Sequence, residues 1–261
     1  MNRIALHQST VHPLDPVALV HVAHRAGLDS VGLRVAAASD VEQWWFRGIG
    51  SPMLVDLVDA LLASRVTVLD VGRIPLGPEL CVVDVGHPYG RVLELGSRLG
   101  AQFVTVRAGA PADDPAEFFG RLAELAGRYH LRPLLSLAAD TAVATLEQAV
   151  ATVEGTDGGV VLDVVPGRDT ALDVDETVVE LGDRLGYVRV AARALAHTAA
   201  PGLLATLPPQ VPVAIGGGGD GTPADPGDPA AQVVRVAALR AAVDAMLRHP
   251  HAAPSARSGP A

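Results

Sequence analysis

Along the chain, short runs rich in Val, Leu and Ile alternate with longer stretches whose apolar residues recur every three or four positions. "AQFVTVR" and "GGVVLDV" are almost continuously apolar, the pattern of a strand covered on both faces. The stretch 229–248 instead gathers Val236, Leu239, Val243, Met246 and Leu247 on one side of a helix. The pattern predicts eight strands, at 3–9, 30–35, 67–71, 103–107, 133–137, 160–164, 187–190 and 212–215. Helices are expected at 16–26, 52–64, 88–99, 115–129, 141–153, 174–185, 201–206 and 229–248.

The punctuation agrees. Asp15-Pro16, Ser51-Pro52, Asp114-Pro115 and Asp228-Pro229 each set a capping side chain before a proline at the first helical position. Gly27, Gly100 and Gly186 stand where a helix should stop in a left-handed turn. Eight strand–helix units in a chain of this length imply a single (β/α)8 TIM barrel over residues 1–249. A doubly wound open sheet is the competing fold, but no GxGxxG opens the first strand–helix turn. The last residues, 250–261, lack apolar content and are expected to be a disordered tail.

Composition narrows the setting. The 261 residues are 49% hydrophobic, ample for a core, and carry a net charge of −9 without a Lys/Arg run, which argues against a nucleic-acid partner. A lone Cys81 rules out an intrachain disulfide framework and fits a reducing compartment. No apolar run reaches the ~20 residues a membrane span needs, and no signal-peptide pattern opens the chain. A cytoplasmic protein with no membrane partner is expected.

In a barrel of this kind the chemistry sits at the C-terminal ends of the strands. Those ends carry His7, Gln8, Ser9, Arg34, Asp70, Arg73, Arg107, Ser136, Asp163, Arg168, Arg189, Arg193 and the run Gly216–Gly219. Several cations and two carboxylates would converge on one cavity, suiting a small anionic or polyhydroxylated substrate. Arg–Asp pairs that only satisfy one another are the plainer reading of the same residues. The loop "VEQWWFRGIG" holds Trp44, Trp45 and Phe46, as a lid over the pocket, as a contact in a homo-oligomer, or as local core packing. His21 and His24 read as surface or packing residues, and His87 as a turn element or pocket residue. The glycine run falls where barrels often hold phosphate but matches no phosphate-binding consensus. No Gly-x-Ser-x-Gly, P-loop, HExxH or CxxC motif occurs.

"AGLDSVGLR", "RVTVLDV", "LGAQFVTVRAG" and "GGVVLDV", in that order and spacing, resemble the xylose-isomerase-like TIM-barrel family of sugar phosphate isomerases and epimerases. The resemblance covers roughly residues 3–216. It implies a divalent metal at the barrel mouth and isomerisation, epimerisation or dehydration of hydroxy-carbonyl compounds through an enediolate. The family's ligands, carried over by position, are mostly replaced. The strand-five glutamate falls on Ser136, and the strand-six aspartate on Asp163, with Pro166 where the histidine should follow. The strand-seven position falls near Arg189, and the strand-eight glutamate on Gly216.

One of four expected ligands survives, so neither a family-type metal nor another cofactor is expected. Two functions remain. One is a metal-independent isomerase, epimerase or lyase on a small hydroxy-carbonyl substrate. Asp163, Asp70 or His7 would then be acid/base groups, with Arg34, Arg73, Arg107, Ser136, Arg189 and Trp45 binding the substrate. The other is a catalytically silent barrel that binds a ligand or a partner protein.

Overall fold

The computed structural model describes residues 2–11, 14–35, 50–77, 88–109, 114–138, 141–165, 174–196, 204–216 and 228–248. Eight strands run parallel and close on themselves: β1 (Ile4–His7), β2 (Ser30–Arg34), β3 (Thr67–Leu76), β4 (Phe103–Ala108), β5 (Arg132–Ser136), β6 (Gly159–Val164), β7 (Leu185–Val190) and β8 (Val213–Ile215). The outer layer holds α1 (Pro16–Arg25), α2 (Pro52–Ser64), α3 (Pro88–Arg98), α4 (Pro115–Gly127), α5 (Leu146–Val153), α6 (Val174–Leu181) and α7 (Pro229–Arg248). Between β7 and β8 a 3₁₀ turn at Ala192–Ala196 is followed by a helical turn at 204–206. The fold is a (β/α)8 barrel.

The main apolar core lies between barrel and helices, and α7 presents fully buried Val236 and Val243 to it, with Leu239, Met246 and Leu247 packed alongside. A second cluster fills the barrel itself: Ala5, Leu69, Phe103, Leu134, Val161, Tyr187 and Ala214. Because strand side chains alternate between faces, residues two positions on point to the axis again. Those residues are His7, Thr105, Ser136, Asp163, Arg189 and Gly216. The barrel therefore carries an apolar floor with a polar layer directly above it.

Several local expectations need correction. Asp15, Asp114 and Asp228 cap their helices through backbone N–H groups, whereas Ser51 makes no capping hydrogen bond and its hydroxyl is buried without a partner. The fifth helix starts at Leu146 rather than 141, because Thr145 and Gln148 form a reciprocal capping box there. Strand β3 continues past Val71 to Leu76, so Asp70 lies inside the barrel and not at a strand end.

Gly27 and Gly100 adopt left-handed φ of 77° and 65° as expected, but Gly186 does not stop a helix. It is the extra residue of a bulge in β7, between the pairs Val160–Leu185 and Val161–Tyr187. A side chain on Gly186 would run into Leu134, a fully buried member of the barrel floor. Gly186→Ala should accordingly lower unfolding free energy by about 1–3 kcal/mol in chemical denaturation. An unchanged midpoint would show that the floor at Leu134 has room to give. The Trp44–Phe46 loop, Cys81, His87, Pro166, Arg168, 217–219 and the 250–261 tail all lie outside the described residues.

Candidate functional site

The polar layer is built by strand alternation and two further bulges. On β3, Leu69 is extra between the pairs Val31–Val68 and Gly32–Asp70. Leu69 joins the floor cluster, and the next residue, Asp70, also faces the barrel interior. Without the bulge, alternation would send one of the two outward. Gly32 opposite provides the room, since a side chain there would collide with the Asp70 carboxylate and the His7 ring.

Asp70 is fully buried. Its Oδ2 accepts hydrogen bonds from Thr105 Oγ1 and Tyr187 Oη, each at 3.1 Å, and lies 3.9 Å from His7 Nε2. Its Oδ1 has no hydrogen-bond partner. Burial raises the Asp70 pKa to about 6, against the opposing pull of Arg189 and the two hydroxyls. Burial, then the charges of Arg189, Arg34 and Arg73, hold His7 well below its usual value, so the imidazole is neutral at pH 7. The Ser9 N–H donates to His7 Nδ1 at 3.2 Å, which leaves the ring proton on Nε2, on the side of Asp70. Tyr187 is pushed well above its ordinary value by burial and by Asp70, and stays a hydrogen-bond donor.

Across the axis, Asp163 and Arg189 are register partners on β6 and β7. Arg189 Nε donates to Asp163 Oδ1 and Nη2 to Oδ2, the latter at 2.8 Å, a bidentate pair. Ser136 Oγ donates to Asp163 Oδ2 at 2.9 Å. Burial alone would raise the Asp163 pKa, but the charge and hydrogen bonds of Arg189 and the Ser136 hydroxyl outweigh it and hold the carboxyl below its usual range. Burial likewise opposes the charge on Arg189, and Asp163 more than restores it, so the guanidinium stays protonated.

Three more arginines stand above this layer. Arg34 ends β2 with its backbone N–H held by the buried Gln8 side chain, and Arg107 sits near the end of β4, paired in register with Ser136. Both are half-buried, and each lies two residues beyond an inward-facing position, Gly32 and Thr105. Arg73 is the extra residue of the second β3 bulge, between the pairs Gly72–Thr105 and Ile74–Val106. Partial desolvation, then Arg189, Arg107 and Arg34, lower its pKa. Arg73 is exposed, and so is Arg193 in the 3₁₀ turn after β7. Trp45 lies outside the described residues.

The positions of the resembled family's metal ligands thus meet in space as Ser136, Asp163 and Arg189, with Gly216 at the end of β8. Their chemistry does not fit a divalent cation. Both Asp163 oxygens are committed to a guanidinium, and Gly216 brings no donor, its axial side being occupied by His7 Cβ at 2.5 Å from where a side chain would begin. Among the described residues no group of three His, Cys, Asp or Glu gathers to hold a metal. Tyr187, Thr105 and Gly32 are the participants the sequence reading missed. The clue available was a polar or missing side chain inside an otherwise apolar strand.

At the level of sequence, no family model and no curated protein matches the chain. Its structure has the fold of the xylose-isomerase-like TIM barrels. L-ribulose 3-epimerase superposes with a TM-score of 0.67 at 16% identity, with 100% of each chain covered. The 3-keto-D-glucoside 4-epimerase of E. coli gives 0.63 at 14% identity, covering 92% of this chain and 100% of that one. A family 2 AP endonuclease from Brucella melitensis gives 0.60 at 13% identity over 85% and 95% of the two chains. Identities this low establish the fold alone, so activity must be argued from the site. Among the described residues, no helix is long and apolar enough to cross a membrane.

Two stability measurements test the geometry. Arg189→Met strands the Asp163 charge and should lower stability by about 3–5 kcal/mol, with the double variant Arg189→Met, Asp163→Leu regaining much of the loss. Equal losses in the single and double variants would mean that the pair is not coupled. Asp70 binds its proton more tightly folded, near 6, than at the ordinary carboxylate value of 3.8. The stability associated with that proton is present below pH ~4 and lost as pH rises through about 6. Urea unfolding of Asp70→Asn should therefore gain about 1–3 kcal/mol on wild type between pH 4.5 and pH 8. A pH-independent difference would contradict the buried, raised carboxyl.

Proposed function

We propose that the chain is an isomerase or epimerase of small hydroxy-carbonyl, sugar-like compounds, working at the C-terminal mouth of the barrel without a divalent metal. The observation that carries this reading is the guanidinium of Arg189, fixed on Asp163 and Ser136 at the positions where the resembled family gathers its metal ligands. Other barrels of this fold include epimerases of L-ribulose and of 3-keto-D-glucosides, which supports the sugar class. A lyase that eliminates water from the same enediolate is the closest variant of the chemistry.

Abstraction of a proton from the carbon beside a carbonyl leaves an electron pair that flows onto the carbonyl oxygen. The resulting enediolate needs a positive partner, and a fixed guanidinium in a largely desolvated site is one. Arg189 Nε and Nη2 are taken by Asp163 and Ser136, so Nη1 is the donor group left for the developing oxyanion. Asp163 then acts through Arg189 as a positioning residue. The proton moves onto the His7–Asp70 pair; in an isomerisation it returns to the neighbouring carbon while the hydroxyl proton of that carbon passes to the former carbonyl oxygen, and in an epimerisation a solvent proton is delivered to the opposite face while the pair releases its own to solvent. A carboxyl near pH 6 beside a neutral imidazole is suited to accept and return a proton near neutrality. Within the pair Asp70 Oδ1 is the atom without a hydrogen bond and accepts the proton, and His7, with Nδ1 turned to the Ser9 N–H and its Nε2–H towards Asp70, is the donor that positions it.

The experiment is solvent exchange. Protein stripped with EDTA and incubated with ketoses in D2O should still incorporate deuterium beside the carbonyl. His7→Gln should slow that exchange by about 10²–10⁴-fold. Exchange that vanishes on chelation and returns with Mn²⁺ would sink the metal-independent mechanism. A silent binding barrel is the second reading, favoured by the full occupation of Asp163 by its neighbours; it predicts ligand binding with no exchange in any sugar.

A further inference from the structure

We infer that Tyr187 is a positioning residue for the proposed proton transfer: its hydroxyl holds one oxygen of the Asp70 carboxylate and leaves the other to take the proton. The inference rests on the isomerase or epimerase reading and adds to that site a residue that acts through Asp70.

Tyr187 is fully buried in the barrel floor, where its ring meets Phe103 at a tilt of 33° with centroids 5.8 Å apart. A phenylalanine would fill that space as well. Burying a phenolic hydroxyl among Ala5, Leu134, Val161 and Ala214 is unfavourable unless the hydroxyl is paired. Its pairing is with the layer above: Oη donates to Asp70 Oδ2 at 3.1 Å, across the barrel from β7 to β3. Thr105 Oγ1 also donates to Oδ2 at 3.1 Å, but it lies 3.5 Å from the Val71 carbonyl, so its one proton is shared between two acceptors. The tyrosine is the undivided donor. With two hydroxyls on Oδ2, both lone pairs of that oxygen are engaged. Oδ1 has no hydrogen bond and is turned towards Gly32 and the His7 ring, so it is the oxygen left to accept a proton.

The same hydrogen bond sets the pH at which Asp70 works. Burial pushes the carboxyl up to about 6; Arg189, Thr105 and Tyr187 oppose that rise, and Asp163 on β6 adds to it. Of the groups facing Asp70, His7 on β1 is neutral at pH 7, held so by burial and by Arg189, Arg34 and Arg73. Arg189 stays protonated and Asp163 stays ionised. Gly32 on β2 and Thr105 on β4 carry no charge. Near neutrality Asp70 is thus the member of this cluster that changes charge. Withdrawing a donor from its ionised form moves that change to higher pH.

The test begins with the full chain and no substrate. The carboxyl C=O band of Asp70, read as the infrared difference between wild type and Asp70→Asn, should fade as pH rises through about 6. In Tyr187→Phe that transition should move up by about one pH unit or more, and in Thr105→Val by less. The acid limb of deuterium exchange into D-fructose and D-ribulose should move with it. At pH 6 the Tyr187→Phe rate should fall about fivefold or more, recovering towards pH 9, with KM unchanged. A role in packing alone would lower thermal stability and rate at every pH and move neither titration. Where Tyr187→Phe does not fold, fluorotyrosine in place of tyrosine keeps the ring and makes its hydroxyl a stronger donor, and the Asp70 band should then fade at lower pH. A band that stays in place, or an exchange limb that stays in place while the wild type exchanges, overturns the inference and leaves the isomerase or epimerase reading standing. A band that moves in a protein that exchanges neither ketose sinks that reading, and the part of Tyr187 in proton transfer with it.

Discussion

Inside a closed parallel barrel every second residue of each strand points at the axis, and the space there must be filled without leaving polar groups unpaired. This chain meets the demand in two layers, with Asp70 Oδ1 the atom left over. The floor is apolar, from Ala5 round to Ala214. The layer above is polar, and it is tenable because the Arg189 guanidinium closes on Asp163 while Thr105 and Tyr187 donate to Asp70. The bidentate pair is the central element. Remove the guanidinium and Asp163 becomes a charge held by the Ser136 hydroxyl alone in a desolvated cavity, and the field that opposes the rise in the Asp70 pKa weakens.

The bulges matter as much as the residue types. A strand with perfect alternation can send Leu69 or Asp70 inward but not both, and β3 needs one for the floor and the other for the polar layer. An extra residue solves this, and a second extra residue a few positions later sets Arg73 among its neighbours. On β7 the extra residue is Gly186, which brings Tyr187 and Arg189 into phase with the floor and the polar layer. Glycines follow as a consequence, at Gly32 beside Asp70 and at Gly216 beside His7, where any side chain would occupy the space of a functional group.

These features explain what could be read from the sequence and what could not. Alternating apolar periods, with Asp–Pro starts at residues 15, 114 and 228, were sufficient for the eight units and their order, because each signal is local. Asp163, Ser136 and Arg189 could be placed at strand ends for the same reason. Register is not local. Nothing in "TVLDVGRIPL" announces two bulges, so β3 was expected to stop at Val71 and Asp70 was expected at the rim. Gly186 reads as a helix stop from its flanks, and only its register against β6, a strand more than twenty positions away, reveals the bulge. Tyr187 reads as an ordinary strand aromatic in sequence, because the Asp70 carboxylate that accepts from its hydroxyl comes from across the barrel.

Within the proposed reaction, a guanidinium in the role of a metal has a chemical consequence. A divalent cation can bind two adjacent substrate oxygens at once and so holds a hydroxy-carbonyl unit and polarises it with the same group. A guanidinium already clamped on a carboxylate keeps its charge at every accessible pH but offers few donors in fixed directions. It can stabilise an oxyanion and cannot also grip the substrate as a chelating cation does. Binding must then come from elsewhere in the cavity. In this barrel the other cationic side chains placed above the polar layer are the arginines on β2, β3 and β4, with Asp70 on β3 and His7 on β1 below them. Gripping and polarising, joined in one ion in a metal-dependent barrel, would be divided here between two sets of arginines.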